Sequence, residues 1–190
     1  MVSKKEKIIG FDLDGVIIDH TDLKLKLAAE RGYNLKPEQT GSDAFKNFVP
    51  KPIREQIQHF LYSDEEALLF SQLMPGAKSV LGRIKHRELP YFLISRRKDI
   101  DLATRLLRFH GLWPEYFNGK NAFFVDEPED KNNKAREIGV THYVDDELGV
   151  LEKLADVEKR FLFDPFDVVK ERNFFTLVHS WSELADFILS

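Results

Sequence analysis

The chain has no cysteine among its 190 residues, which excludes disulfides, thiolate metal sites and a cysteine nucleophile together. It has no apolar run near the ~20 residues that span a bilayer. The basic stretch Ser3-Lys4-Lys5-Glu6-Lys7 leads into a strand and not into the apolar region of a signal peptide. That stretch is expected to be a solvated tail, and the protein to be soluble and cytoplasmic. Positive charge is not in excess either: the net charge of -4 leaves no electrostatic footprint for nucleic acid. Internal repeats and low-complexity segments are missing as well. What is present, 43% hydrophobic and 32% charged residues, suits one medium domain, or a core domain with a small insertion.

The stretch that organises the rest runs from Ile8 to Asp19 and reads Ile-Ile-Gly-Phe-Asp-Leu-Asp-Gly-Val-Ile-Ile-Asp. Side chains two apart on an extended strand share a side, so Asp12 and Asp14 face one place. At about 4 Å and an effective dielectric near 20, two such charges repel by roughly 4 kcal/mol. The pair therefore calls for a cation or a proton. Gly15 lets the backbone turn tightly beside whatever binds.

From His20 to about Met74 the periodicity is helical, with no convincing strand. Leu23, Leu27 and Ala28 mark one helix, which Gly32 can end. Ile53, Ile57, Phe60 and Leu61 mark a second, with Pro52 near its start. Ser63 and Glu66 have capping-box spacing, which predicts a third through Leu69 and Leu73. Gly41 to Pro50 reads as a loop or short helix, whose Phe45 and Phe48 either pack a small core or wall a pocket. After Pro75-Gly76, strands and helices alternate to the last helix, capped by Ser180 and Glu183. That alternation predicts an α/β fold with a mostly parallel sheet, covered on both faces and binding ligands at the carboxyl ends of its strands.

Polar residues stand where the later strands end. Ser95 closes Tyr-Phe-Leu-Ile-Ser and can donate to a phosphate oxygen without adding negative charge. Arg96 and Arg97 follow; either can contact phosphate, and at least one is expected to face solvent. Lys131 and Lys134 open the helix before the strand His142-Tyr143-Val144, which ends in Asp145-Asp146. An acidic doublet behind an apolar strand repels unless it meets a metal or a lysine. Hard oxygen donors favour magnesium. The six histidines show no ligand-like spacing and are assigned to core or surface.

Asp12-Leu13-Asp14-Gly15-Val16 resembles the first motif of the haloacid dehalogenase superfamily, and its second acid resembles the phosphatases and phosphomutases of that group more than the dehalogenases. Ser95 resembles the second motif. The spacing from Lys131 through Ala135, Ile138 and Gly139 to Val144-Asp145-Asp146 resembles the third and fourth motifs of 5′(3′)-deoxyribonucleotidase-like members, which favours Lys131 as the active-site lysine with Lys134 as the fallback. The resemblance implies a Rossmann-like core (1–19 and 75–190) and a small helical cap (20–74). It implies Mg2+ held by Asp12, the backbone carbonyl of Asp14 and Asp146, with Asp145 acting indirectly or through water. Asp12 is then the nucleophile that forms an aspartyl-phosphate, Asp14 the acid and base, and Ser95, Arg96 and Lys131 the phosphate binders.

The expected function is a magnesium-dependent phosphatase for a small phosphorylated metabolite, a nucleoside monophosphate being the first substrate expectation, with no nucleic acid or membrane partner. A phosphomutase and a non-catalytic phosphate- or metal-binding signalling module are the alternatives. Response-regulator receivers carry similar residues in a different order, with the acidic doublet on the first strand. Oligomeric state is open.

Overall fold

The computed structural model describes residues 6–170 and 172–190; residues 3–5 of the expected N-terminal tail lie outside them. Strand β1 (Ile9–Phe11) is short and buried throughout. The chain turns after it and forms an antiparallel pair, β2 (Ile18–Asp19) with β3 (Gln72–Leu73). Between these two lie α1 (Thr21–Ala29), α2 (Ser42–Phe48) and α3 (Lys51–Ser63). Then follow α4 (Ala77–His86), β4 (Tyr91–Ser95), α5 (Ile100–Phe109), β5 (Ala122–Phe124), α6 (Pro128–Glu137) and β6 (His142–Asp145). The chain closes with α7 (Leu148–Lys153), β7 (Lys159–Phe163), β8 (Thr176–Val178) and α8 (Trp181–Ile188).

Six strands form one sheet in the order β5-β4-β1-β6-β7-β8, all pairings parallel. Counted along the sheet's own strands this is the doubly wound order 3-2-1-4-5-6, in which connections leave the first strand in opposite directions on its two sides. The crevice at that reversal opens between the carboxyl ends of β1 and β6. Asp12 follows the one strand and Asp145-Asp146 end the other.

Both faces are covered, as the continuous apolar strands require. On one face Ile9, Phe11 and Leu93 pack with Val80, Leu81 and Ile84 of α4, Leu106 and Leu107 of α5, and Trp181 and Leu184 of α8. On the other, Ile94, Tyr143 and Leu162 pack with Ala135 of α6 and Val150 and Leu151 of α7. A separate apolar cluster joins Leu23, Leu27, Phe45, Ile57 and Leu61 of α1 to α3. The helices begin where their caps allow: Asp99 accepts from Leu102 N, and Ser180 from Glu183 N while Glu183 accepts from His179 N.

Two expectations are corrected. Ser63 ends α3 and does not start a helix; Asp64 caps instead, accepting from Glu66 N, and only a 3-10 segment, Glu65–Phe70, follows. Leu73, placed in that helix by periodicity, is drawn into β3 by pairing with Ile18, so the segment between His20 and Met74 does contain a strand. The stretch around Phe45 and Phe48 is a helix, with Phe45 buried and Phe48 exposed.

Candidate active site

At the crevice, Lys131 reaches from the first turns of α6 with its Nζ 2.6 Å from Asp12 Oδ1 and 2.8 Å from Asp145 Oδ2. It is 1% exposed, so this ammonium has exchanged water for two carboxylates, which hold its pKa well above the usual lysine value against the effect of burial. Asp145 is fully committed: its second oxygen accepts from Glu147 N at 3.0 Å. Asp146 instead turns to the crevice, where its Oδ2 accepts from Ser42 Oγ of α2 at 2.6 Å. Lys134 lies elsewhere, paired with Glu137 over the Phe123 ring.

Carboxylate oxygens of Asp12, Asp145 and Asp146 lie within 4.8 Å of one another. Burial, with repulsion from Asp145 and Asp14, pushes Asp12 up to about 7 despite Lys131. Burial and repulsion from Asp145 and Asp12 push Asp146 up to about 8. Two buried carboxylates sharing one lysine, with a third half-buried beside them, are short of positive charge, and an oxygen-only donor set of this kind fits a hard divalent cation such as Mg2+.

Asp14 stands apart from this trio. The side of the Arg97 guanidinium grips it, Nε to Oδ2 at 2.9 Å and Nη2 to Oδ1 at 2.7 Å, and His20 Nε2 lies 2.7 Å from Oδ1. Burial alone would raise the Asp14 carboxyl; Arg97 and His20 hold it well below the usual carboxylate range. Arg97 is buried and stacks under Tyr62 of α3, its guanidinium 4.9 Å from the ring centroid. Against the expectation that at least one of the two arginines faces solvent, Arg97 is enclosed and Arg96 is half-buried against Glu147. Ser95 is 1% exposed at the end of β4, its Oγ toward the Arg97 backbone N–H.

These groups line a cavity of about 350 Å³ with Asp12, Asp14, Ser95, Asp145 and Asp146 on one wall and Phe45, Lys46, Arg54, Gln58 and Tyr62 from the helical segment on the other. Helix α2 is fastened to the sheet by Ser42, by Asp43 Oδ2 accepting from Leu148 N at 2.8 Å, and by Lys46 2.7 Å from Glu147. His20, Arg97 as the partner of Asp14, and Ser42 were not legible as site residues. His20 sits eight residues beyond Asp12, and its placement depends on the β1–β2 turn, which carries no sequence mark beyond Gly15. The structure thus brings together Asp12, Ser95, Lys131, Asp145 and Asp146, with Asp14 beside them in its own ion pair.

Comparison with known proteins points the same way. The sequence model of the family "5' nucleotidase, deoxy (Pyrimidine), cytosolic type C protein" matches residues 6–107. No curated protein matches the chain. Among solved structures, a HAD family hydrolase from Deinococcus radiodurans with bound phosphate and sodium is 17% identical, with a TM-score of 0.60 over 96% of this chain and 95% of that one. A haloacid dehalogenase-like family hydrolase from Streptococcus pneumoniae is 15% identical, with a TM-score of 0.60 over 96% and 98%. A HAD hydrolase of family IA from Entamoeba histolytica is 19% identical, with a TM-score of 0.59 over 97% and 100%. At these identities the structures share the fold.

Proposed function

The chain belongs to the cytosolic type C 5' nucleotidase family and is a haloacid dehalogenase-like phosphatase; from that premise we propose that it is a magnesium-dependent, cytoplasmic enzyme that hydrolyses nucleoside monophosphates or closely related monoesters through an aspartyl-phosphate. One observation carries the reading: Lys131 bridges Asp12 and Asp145 while Asp146 stays open to the same cavity.

Asp12, Asp146 and the Asp14 backbone carbonyl would hold Mg2+, with Asp145 supporting it less directly. When bound, the ion neutralises phosphate oxygens and lets Asp12 ionise at neutral pH. Asp12 attacks phosphorus in line, and the leaving oxygen departs opposite to it. Ser95 donates to a phosphoryl oxygen, and Lys131 keeps Asp12 aimed while it balances the added charge. Arg96 lies on the same wall as a further phosphate contact. Asp14, held ionised by Arg97 and His20, is ready as the base for the water that hydrolyses the acyl phosphate. To protonate the leaving alkoxide first, it must loosen that fork. Residues 20–74 act as a cap, with α2 and α3 closing over the reacting atoms and excluding water.

The test is phosphate release from nucleoside monophosphates, sugar phosphates and p-nitrophenyl phosphate, with and without Mg2+, for wild type and Asp12→Asn, with hydroxylamine trapping of the acyl phosphate. Metal-dependent release that the substitution abolishes, and a trapped adduct in wild type only, are expected. A folded wild type that releases nothing would end the hydrolytic reading. Transfer of the phosphoryl group within a sugar phosphate, with no free phosphate, would indicate a mutase.

A further inference from the structure

Helix α3 has two faces. Ile57 and Leu61 are buried in the cluster under the helices, while Arg54, Gln58 and Tyr62, each one turn on from the last, line the cavity. Tyr62 is occupied by Arg97. Arg54 is not occupied: its Nε is buried without a hydrogen-bond partner, and among the described residues it forms no ion pair.

Every neighbouring acid that could have paired with it is committed elsewhere or stays apart. Asp14 is held by Arg97, Glu147 by Arg96 and Lys46, and Asp12 and Asp145 by Lys131, while Asp146 accepts from Ser42 and forms no ion pair with Arg54. Asp126 and Glu127 line the same cavity but are exposed and form no ion pair with it. Lys98, in the loop after β4, is a second lining cation without a partner among the described residues. A guanidinium partly stripped of water and left unpaired is unfavourable unless something arrives to accept its hydrogen bonds. On the phosphatase reading the phosphoryl group sits on the opposite wall, beside Asp12 and Ser95, which leaves Arg54 for another part of the substrate.

We propose that Arg54, assisted by Lys98, reads a second anionic group on the leaving portion of the substrate, a carboxylate or a second phosphate. This rests on the phosphatase reading and narrows it. The cavity, about 350 Å³, falls within the range that encloses a small ligand well beyond its phosphate. A guanidinium fork matches the planar pair of oxygens of a carboxylate, or two oxygens of a phosphate. The inference predicts a substrate with anionic groups at both ends, held between the sheet and the cap.

Matched esters test it: 3-phosphoglycerate against glycerol 3-phosphate for the carboxylate, and thymidine 3′,5′-bisphosphate against thymidine 5′-monophosphate for the second phosphate. In wild type, kcat/KM should favour the doubly anionic member of at least one pair by roughly tenfold to a hundredfold, the worth of a charge-assisted contact. In Arg54→Ala that ratio should collapse toward one, in Arg54→Lys it should be partly restored, and in Lys98→Ala it should fall only slightly, as suits an exposed cation. Equal rates within both pairs, or a preference that survives Arg54→Ala, would overturn the inference and leave hydrolysis standing. Should wild type release no phosphate even from p-nitrophenyl phosphate, hydrolysis is what fails; the same pairs are then ranked by calorimetric binding, where an Arg54-dependent ratio supports the anion site and equal affinities overturn it.

Discussion

At Gly15 two constraints coincide: its φ is +81°, and a Cβ built there would overlap the Asp146 carboxylate. A side chain at this position costs about 1–2 kcal/mol in backbone strain alone, and it displaces the open member of the carboxylate trio. Gly15→Ala should therefore lower phosphate release by at least about tenfold and weaken Mg2+ binding measured by calorimetry, while leaving a folded protein. Lys131→Met removes the ammonium between two buried carboxylates. We expect a loss of about 3–5 kcal/mol in urea unfolding, as when one partner of a buried ion pair is deleted, together with loss of turnover. At this scale the sequence was informative where chemistry is local: Asp12, Ser95 and the Asp145-Asp146 doublet each follow an apolar strand, so their convergence is a property of the sheet. The Arg97–Asp14 fork was not legible, because it joins the loop after β4 to the loop after β1, and Arg96 and Arg97 are alike until the backbone decides which one turns inward.

One short element joins the helical segment to the carboxyl ends of the strands, beside the stacking of Tyr62 on Arg97 and the Glu65–Arg105 pair. Helix α2 carries Ser42 to Asp146, Asp43 to the Leu148 amide and Lys46 to Glu147. The Lys46 pair is partly exposed and contributes about 0–1 kcal/mol; the Ser42 bond to the half-buried Asp146 carboxylate is stronger, about 1.5–3 kcal/mol. Ser42→Ala combined with Lys46→Ala should speed amide hydrogen exchange across α2 by roughly tenfold or more, with α4 and α5 unaffected. An unchanged exchange rate in α2 would mean that these contacts do not hold the helical segment. The periodicity of α3 showed its apolar face plainly and left its polar face without meaning, since Arg54-x-x-x-Gln58-x-x-x-Tyr62 reads as an ordinary solvated side until the cavity is known. Residues 65–70 misled for a related reason: Ser63 has the spacing of a cap, but α3 already owns it, and β-pairing with Ile18 claims Leu73.

For the molecule as a whole, the alternation of strands and helices sufficed to state a mostly parallel sheet covered on both faces, while the doubly wound strand order, and with it the position of the crevice, emerges only from pairing. Far from that crevice, His142 lies at the opposite end of β6, stacked on Phe161, with Nδ1 2.8 Å from Thr141 Oγ1 and Nε2 buried without a partner among the described residues. Burial, helped by Lys7 and Lys159, pushes it down to about 4. The unfolded imidazole takes its proton near pH 6.5, so stability present above that value drains away as the pH falls toward 4. His142→Phe should therefore lose less of its urea midpoint than wild type does between about pH 7.5 and pH 5; equal losses would assign the acid sensitivity to other groups.

The same global view sets a limit on when the first loop is complete. Trp181, fully buried in α8, stacks on Phe11 at 5.2 Å and donates from Nε1 to the carbonyl of Val16 at 2.8 Å. Trp181→Ala should cost about 3–5 kcal/mol and disturb the turn that carries Asp14 and Gly15. Because synthesis runs from the N-terminus, the ribosome delivers every acid of the site, and the lysine between them, before it delivers the indole that braces the turn. A chain stopped short of α8 holds every acid of the site and the lysine between them, yet lacks the indole that braces the turn carrying two of those acids.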